Sequence, residues 1–305
     1  MIKLWLTKFF EELFYSPKLY HYIVIITLLP LSILYSLLMF IRRLLSRRER
    51  FNIPIISVGN LIVGGSGKSP FIIELAKRYK DITIISRGYG RESRGLFEVS
   101  KNGKILTTVK ESGDEAMLMA ESLKEASIIV SEDRKKAIRK AIENGTKLIL
   151  LDDGFNRVDI EKFEIILEPK GIKNYFTLPS GAFREFYMTY KFADIKAIES
   201  IDYKRVVKYE NLTDRMLLVT AIANPKRLDE YLPKGVVAKY YLSDHSFFDE
   251  IKIKEKMKKY NATSILVTTK DLVKMNNFCL NISIIRLKLN IDKEIFKKID
   301  IYLNI

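Results

Sequence analysis

The chain has 305 residues, 48% apolar and 29% charged, which suffices for a packed core and excludes a disordered protein. A formal net charge of +15 points to anionic partners, and the single cysteine, Cys279, excludes an internal disulfide and suits a reducing compartment. The only histidines are His21 and His245, so a multi-histidine metal centre is excluded and a divalent ion must rest on oxygen ligands, as magnesium does.

Residues 3–15 pattern as an amphipathic helix. From Leu19 to Ile41, 23 residues pass without Lys, Arg, Asp or Glu. About 20 apolar helical residues cover a hydrocarbon core of roughly 30 Å, so this stretch is long enough for a bilayer. Arg42, Arg43, Arg47, Arg48 and Arg50 follow at once, whereas only Lys3, Lys8 and Lys18 precede it, a bias that places the bulk of the protein in the cytoplasm. The run is too long for a cleaved signal peptide and no small-residue cleavage site follows it. Pro30 in mid-run and the amphipathic segment before it leave both a spanning and an in-plane anchor open. With such an anchor, and with no zinc-finger or RNA-recognition signature, the basic excess suits anionic lipid and phosphorylated ligands over nucleic acid.

Beyond the arginines the texture changes. Ile53 to Val58 reads as a buried strand ending at Gly59, and a helix is predicted over 70–79. Further strands are predicted at Ile82 to Ser86, Ser127 to Val130 and Lys147 to Leu151, with a helix from Glu132 to Glu143 capped by Ser131 and closed by Asn144-Gly145. Asn102-Gly103, between Leu96 to Lys101 and Lys104 to Val109, predicts a β-hairpin inserted at 96–109. Met216 to Ala221, Val236 to Tyr241, Ser264 to Thr268 and Ile282 to Leu287 read as strands of a second, smaller α/β domain. The expected organisation is a membrane anchor with its basic flank at 1–50, a core domain at 51–205 and a C-terminal α/β domain at 206–305. Continuous apolar strands alternating with helices predict an α/β fold with a mostly parallel sheet covered by helices on both faces.

Gly64-Gly65-Ser66-Gly67-Lys68-Ser69, between a strand and a helix, is the central motif. Glycines let successive backbone N–H groups converge on phosphate oxygens, and the helix N-terminus adds positive partial charge. Amides from Ile62 and Val63 through Ser69 are candidates to hold ATP, Lys68 to reach the β- and γ-phosphates and Ser69 to ligate Mg2+. Ile62 stands where the strict motif has a glycine. Leu148-Ile149-Leu150-Leu151-Asp152-Asp153-Gly154 puts two carboxylates at the end of a buried strand, where an acidic residue holds magnesium against a bound triphosphate. A kinase also needs a group that orients or deprotonates the acceptor hydroxyl. Asp114 and Glu115, opening a helix after Ser112-Gly113, and His245, after Asp244, are the candidates. Arg87, Arg134 and Arg184 are candidate phosphate-binding side chains.

These motifs, in order, resemble the tetraacyldisaccharide 4'-kinase family of lipid A biosynthesis over about Pro54 to Lys274. The resemblance rests on Ser57-Val58-Gly59-Asn60, the glycine-rich loop with Pro70, Ser86-Arg87-Gly88-Tyr89, Gly113-Asp114-Glu115 and Ser131-Glu132-Asp133-Arg134. It continues through Leu151-Asp152-Asp153-Gly154-Phe155, Leu178-Pro179 with Gly181, Arg184 and Glu185, then Asp244-His245 and Thr269-Lys270-Asp271. It implies a P-loop core, ATP and Mg2+ as cofactors, and phosphorylation of the 4'-hydroxyl of a tetraacyldisaccharide 1-phosphate to lipid IVA at the cytoplasmic face of the bacterial inner membrane. By the same resemblance Asp114 and His245 act on the acceptor, while Glu115, Asp152 and Asp153 surround magnesium. Asn60, Arg87, Tyr89, Arg134 and Arg184 are implied to contact substrate, and no protein partner is required. The chain departs from the family where Asn156-Arg157 replaces Gln-His and Phe186 replaces proline. The alternatives are a P-loop kinase of a soluble small molecule and a membrane-bound P-loop ATPase switch. The switch is disfavoured because Val63 stands where partitioning ATPases carry lysine, and Thr269-Lys270-Asp271 lacks the spacer of a GTPase base-reading motif.

Overall fold

The computed structural model describes all residues except Met1, Gly65, Ser66, Pro169, Lys170, Ala223, Asn224, His245, Asn276 and Asn277, and it omits the side chains of residues 2–5, 7, 8 and 227. The chain divides into two compact units, one of residues 1–68, 153–203 and 292–305, the other of residues 69–152 and 204–291.

In the first unit the N-terminal segment forms two helices, Ile2–Tyr15 and His21–Leu45, the second with Pro30 in its interior. The buried residues of His21–Leu45 are His21, Ile25, Ser32, Ser36 and Arg43, spaced by four and seven so that they make one stripe. That stripe is largely polar, and its partners lie in the segment 177–185. The Ser180 N–H donates to Ser32 Oγ at 3.0 Å, the Ser180 hydroxyl to the Ile25 carbonyl at 3.0 Å, and the Thr177 hydroxyl to the Ser32 carbonyl at 3.1 Å. The Ser36 hydroxyl donates to Thr177 Oγ1 at 2.5 Å. At the far end Arg43 makes a bidentate pair with Glu185, at 2.7 and 2.9 Å, donates to the Phe155 carbonyl at 3.1 Å and lies 4.0 Å from the centre of the Phe155 ring.

Both charges of that pair are almost wholly buried, with side-chain exposures of 3% and 4%. Removing one partner leaves the other as an uncompensated buried ion, which costs about 3–5 kcal/mol. Arg43→Ala is therefore expected to lower unfolding stability by that amount in denaturant titrations in detergent. A loss below about 1 kcal/mol, the level of an exposed pair, would show that the contact does not hold the helix.

The same unit carries three parallel strands, with Ile55–Gly59 beside Phe163–Glu168 and Phe163–Glu168 beside Ile195–Ile198. A Cβ on Gly59 would sit 2.8 Å from the Phe155 Cβ, so the absent side chain lets the chain after Asp153 close against the strand end. The last helix, Lys293–Leu303, is capped by Asp292 and returns to this unit, where the Tyr302 hydroxyl donates to the Ile55 carbonyl at 3.3 Å.

The second unit holds five strands in the order Lys104–Ile105, Phe97–Lys101, Ser127–Val130, Ile82–Ser86, Leu148–Asp152, and a separate sheet ordered Val236–Tyr241, Met216–Thr220, Ser264–Thr268, Ile282–Ile291, Tyr203–Glu210. Ile82–Ser86 is parallel to both of its neighbours, and every residue of it is buried. Such two-sided burial explains its unbroken apolar reading. The 97–105 hairpin is antiparallel, turning on Asn102 and Gly103 at φ 47° and 80° as a tight primed turn requires.

Several local readings are corrected. The second hairpin arm stops at Ile105, because Thr108 and Glu111 form a capping box that starts the short helix Val109–Ser112. The helix predicted from Glu132 begins at Arg134 and is capped by Asp133, which accepts from the Lys136 N–H at 3.1 Å. Ser131 instead extends the strand pairing, donating its N–H to the Ser86 carbonyl at 3.0 Å. The strands Phe163–Glu168, Ile195–Ile198 and Tyr203–Glu210 carry charged residues between their apolar ones and were not expected from the sequence pattern.

Candidate active site

The glycine-rich loop enters from a fixed backbone. After Asn60, residues 61–63 lie against 182–184, with the Val63 N–H donating to the Ala182 carbonyl at 2.9 Å and the Arg184 N–H to the Leu61 carbonyl at 2.7 Å. Leu61, Ile62 and Phe183 are buried together there. Gly65 and Ser66 lie outside the described residues. Gly67 has φ 81°, and the helix Lys68–Ala76 starts directly after it, with first-turn N–H groups that have no partner within the helix.

Lys68 is held by Asn60 and Asp153. Its ammonium lies 3.0 Å from Asn60 Oδ1 and 3.3 Å from Asp153 Oδ1. Asp153 also takes Arg184 at 2.8 Å, so the lysine, the carboxylate and the guanidinium form one chain of charges. Burial pushes the Asp153 carboxyl up, but the Lys68 and Arg184 charges outweigh it and hold the group below the ordinary carboxylate range. Asp153 itself occupies a left-handed turn, φ 53°, anchored by its N–H to the Val58 carbonyl at 3.0 Å. The Asn156 amide, oriented to satisfy both neighbours, donates to Glu185 at 3.1 Å and accepts from Arg184 at 3.3 Å, so the residue that departs from the family pattern still joins this polar network.

In the second unit, Asp152 closes the strand Leu148–Asp152 and accepts a 2.8 Å hydrogen bond from the Ser86 hydroxyl. Arg134 is buried and donates to the Ser131 and Asp152 carbonyls, the latter at 3.3 Å. Its guanidinium thus braces the backbone that presents Asp152. Arg87 and Tyr89 stand exposed on the loop after Ile82–Ser86, Tyr89 at 70% exposure. Asp153 in the first unit, and Ser69 and Asp152 in the second, are hard oxygen donors of the kind magnesium takes, one or two carboxylates with phosphate oxygens and water completing its shell.

Asp114 and Glu115 open the helix Asp114–Ser122 in the second unit. The family resemblance implies that Asp114 acts with His245, which lies outside the described residues. Asp114 pairs with Lys274, 2.5 Å away, and both side chains are buried. Glu115 meets Lys270 at 3.3 Å, and Lys270 also reaches Asp244 at 3.9 Å. Burial lowers the Lys270 pKa, but Glu115, Asp244 and Asp114 together raise it beyond its usual value. Lys274 further donates to the Ser246 carbonyl at 3.3 Å. Lys270 lies in the short helix Thr269–Leu272 and Lys274 in the turn just beyond it. Asp271 between them fixes this segment by accepting from Thr220 and Thr268 hydroxyls, both at 2.7 Å, and from the Ala221 N–H at 2.9 Å. Neither lysine was assigned a role from sequence, although their i, i+4 spacing beside Thr269 was visible.

A phosphate-binding loop whose lysine meets the carboxylate of Asp153, in an α/β chain bearing a long apolar N-terminal helix, defines a P-loop phosphotransferase. The family model described as tetraacyldisaccharide-1-P 4'-kinase matches residues 24–206. The tetraacyldisaccharide 4'-kinase of Helicobacter acinonychis is 49% identical over 97% of this chain and 95% of its own length, and that of Aliarcobacter butzleri 46% identical over 99% and 98%. The crystal structure of LpxK from Aquifex aeolicus in complex with ATP superposes with a TM-score of 0.75 at 28% identity, covering 92% of this chain and 98% of that one. This chain belongs to the tetraacyldisaccharide 4'-kinase family.

Proposed function

We propose that this protein transfers the γ-phosphate of ATP to the 4'-hydroxyl of a tetraacyldisaccharide 1-phosphate, giving lipid IVA in lipid A biosynthesis. The observation that carries the reading is the seating of Lys68 between Asn60 and Asp153, at the loop that the motif assigns to the triphosphate. Phosphoryl transfer asks the protein mainly for positioning and charge. Lys68 and the amides of residues 62–69 bind the β- and γ-phosphates, with Asn60 and Asp153 keeping the ammonium in place. Ser69 with Asp152 and Asp153, and Glu115 beside them in role, would hold Mg2+, which when bound neutralises charge on the phosphate oxygens. Asp114, with His245, takes the proton from the acceptor hydroxyl. Support for that pairing is that the residues flanking His245, Asp244 and Ser246, reach Lys270 and Lys274, the lysines bound to Glu115 and Asp114. Arg87, Tyr89 and Arg184 contact the substrate, and Arg134 acts through the backbone at Asp152.

The organisation proposed is an anchor at 1–50, a kinase core at 51–205 and a smaller domain at 206–305. The anchor is read as lying in the plane of the cytoplasmic leaflet. From Ile25 to Arg43, roughly 27 Å of helix at 1.5 Å per residue, one side of it is bonded to the protein's own irregular 177–185 segment, a kind of backbone that does not lie exposed to lipid in the hydrocarbon core. Its outer face exposes Ile23, Ile26, Leu31, Leu34, Leu38 and Leu45, an apolar patch of the kind that inserts into an interface, with Arg47, Arg48 and Arg50 following to attract anionic headgroups. A substrate carrying four acyl chains is reached there.

Incubation with ATP labelled in the γ-phosphate and tetraacyldisaccharide 1-phosphate in mixed micelles is expected to yield labelled lipid with the phosphate on the 4' position. Labelling of soluble sugars but not of the lipid would favour a soluble-acceptor kinase, and ATP hydrolysis without any acceptor product would favour the ATPase switch.

A further inference from the structure

The helix Ile2–Tyr15 ends within reach of the nucleotide loop. Tyr15, its last residue, donates its hydroxyl to the Val63 carbonyl, at the entrance of the glycine-rich loop. Next to it Gly64 has φ +96°, and a Cβ there would lie 2.5 Å from the Tyr15 hydroxyl oxygen. The aromatic ring packs with Val63 and Phe14 against the buried cluster of Leu61, Ile62 and Phe183. The helix end is itself tied down, since Asn174 Nδ2 donates to the Leu13 carbonyl at 2.9 Å and the Lys173 N–H to the Tyr15 carbonyl at 3.3 Å.

A phosphate-binding loop works by aiming consecutive N–H groups at one point. Val63 is pinned on both sides of its peptide, its N–H by Ala182 and its carbonyl by Tyr15, just before the chain turns at Gly64. We infer that Tyr15 is a positioning residue of the ATP site, by which the N-terminal amphipathic helix sets the entry geometry of the phosphate loop. The inference rests on the assignment of residues 62–69 to ATP. The amphipathic helix is then part of the nucleotide site as well as of the anchor, because its last side chain is bonded to the entrance of the loop.

Tyr15→Phe keeps the packed ring and deletes only the hydroxyl. In the full-length protein in detergent micelles, this variant is expected to raise the Kd for ATP and the KM for ATP about fivefold, the range of one part-buried hydrogen bond, with kcat within about twofold of wild type. A merely structural role would lower the unfolding midpoint without this split between KM and kcat. Gly64→Ala provides an independent arm, because its methyl group pushes on the same hydroxyl. Its loss of ATP affinity is expected to be smaller in the Tyr15→Phe background than in wild type, the non-additivity of two groups in contact. Unchanged ATP affinity in Tyr15→Phe, or strict additivity of the two variants, overturns the proposal. Failure of the wild-type protein to bind ATP at all would overturn the loop assignment, and the positioning role with it.

Discussion

Lys68→Ala is expected to reduce phosphoryl transfer by at least about 10³-fold, at the upper end of what one preorganised charged donor contributes to a transition state. The ammonium is the one side-chain cation that the loop motif directs at the β- and γ-phosphates, and it is oriented by Asn60 at 3.0 Å and Asp153 at 3.3 Å. Water entering the vacated space screens charge but offers no fixed dipole. Asp153 loses Lys68 in the variant and keeps Arg184 at 2.8 Å, so the acidic turn should remain folded. Single-turnover assays at saturating ATP, with unfolding curves as a control, measure the effect. Transfer within about tenfold of wild type by a folded Lys68→Ala protein would remove the loop assignment.

Asp114→Ala is expected to lower kcat by about 10²–10⁴-fold while leaving ATP affinity within a few-fold, the signature of a lost general base. The geometry adds a condition that sequence reading did not contain. Asp114 is bonded to Lys274 at 2.5 Å with both side chains buried, so deleting the carboxylate removes the counter-charge of a buried ammonium. Part of any loss in Asp114→Ala is therefore structural. Asp114→Asn preserves the shape and isolates the chemistry; it should lose turnover nearly as severely as the alanine variant while unfolding closer to wild type. His245→Ala is expected to follow the same direction in kcat. If either variant instead mainly weakened ATP binding, its role would move from acceptor to nucleotide.

The parts of the site that were legible in sequence are those where the physics is local. A glycine-rich loop between a strand and a helix, and carboxylates at a strand end, need only short-range geometry to be recognised, and Lys68 and Asp153 do meet. Strands buried on both faces, such as Ile82–Ser86, read clearly because burial demands apolar residues at every position. Phe163–Glu168 was missed because Glu164 is a buried charge inside it, paired with Lys162 at 2.6 Å, a partner no pattern of periodicity reveals. The cap of the helix Arg134–Glu143 was misplaced by two residues because Ser131 and Asp133 are equally good caps by residue type. The choice fell to Asp133 when the Ser131 N–H was taken by the neighbouring strand.

Sequence by itself determined the class of fold, the phosphate loop, the acidic strand end and an apolar helix with a basic flank, since each is encoded in contiguous residues whose chemistry is self-sufficient. Tertiary structure alone decided which residues surround them. It put Tyr15 at the mouth of the loop 48 residues later, tied Ser32 and Ser36 to Ser180 and Thr177, and gave Asp114 a lysine as its partner. Those pairings join residues far apart in the chain, and their energies depend on burial, which removes competing water and makes each hydrogen bond or charge pair count. Burial is a property of the folded whole and has no signature in any short stretch of sequence.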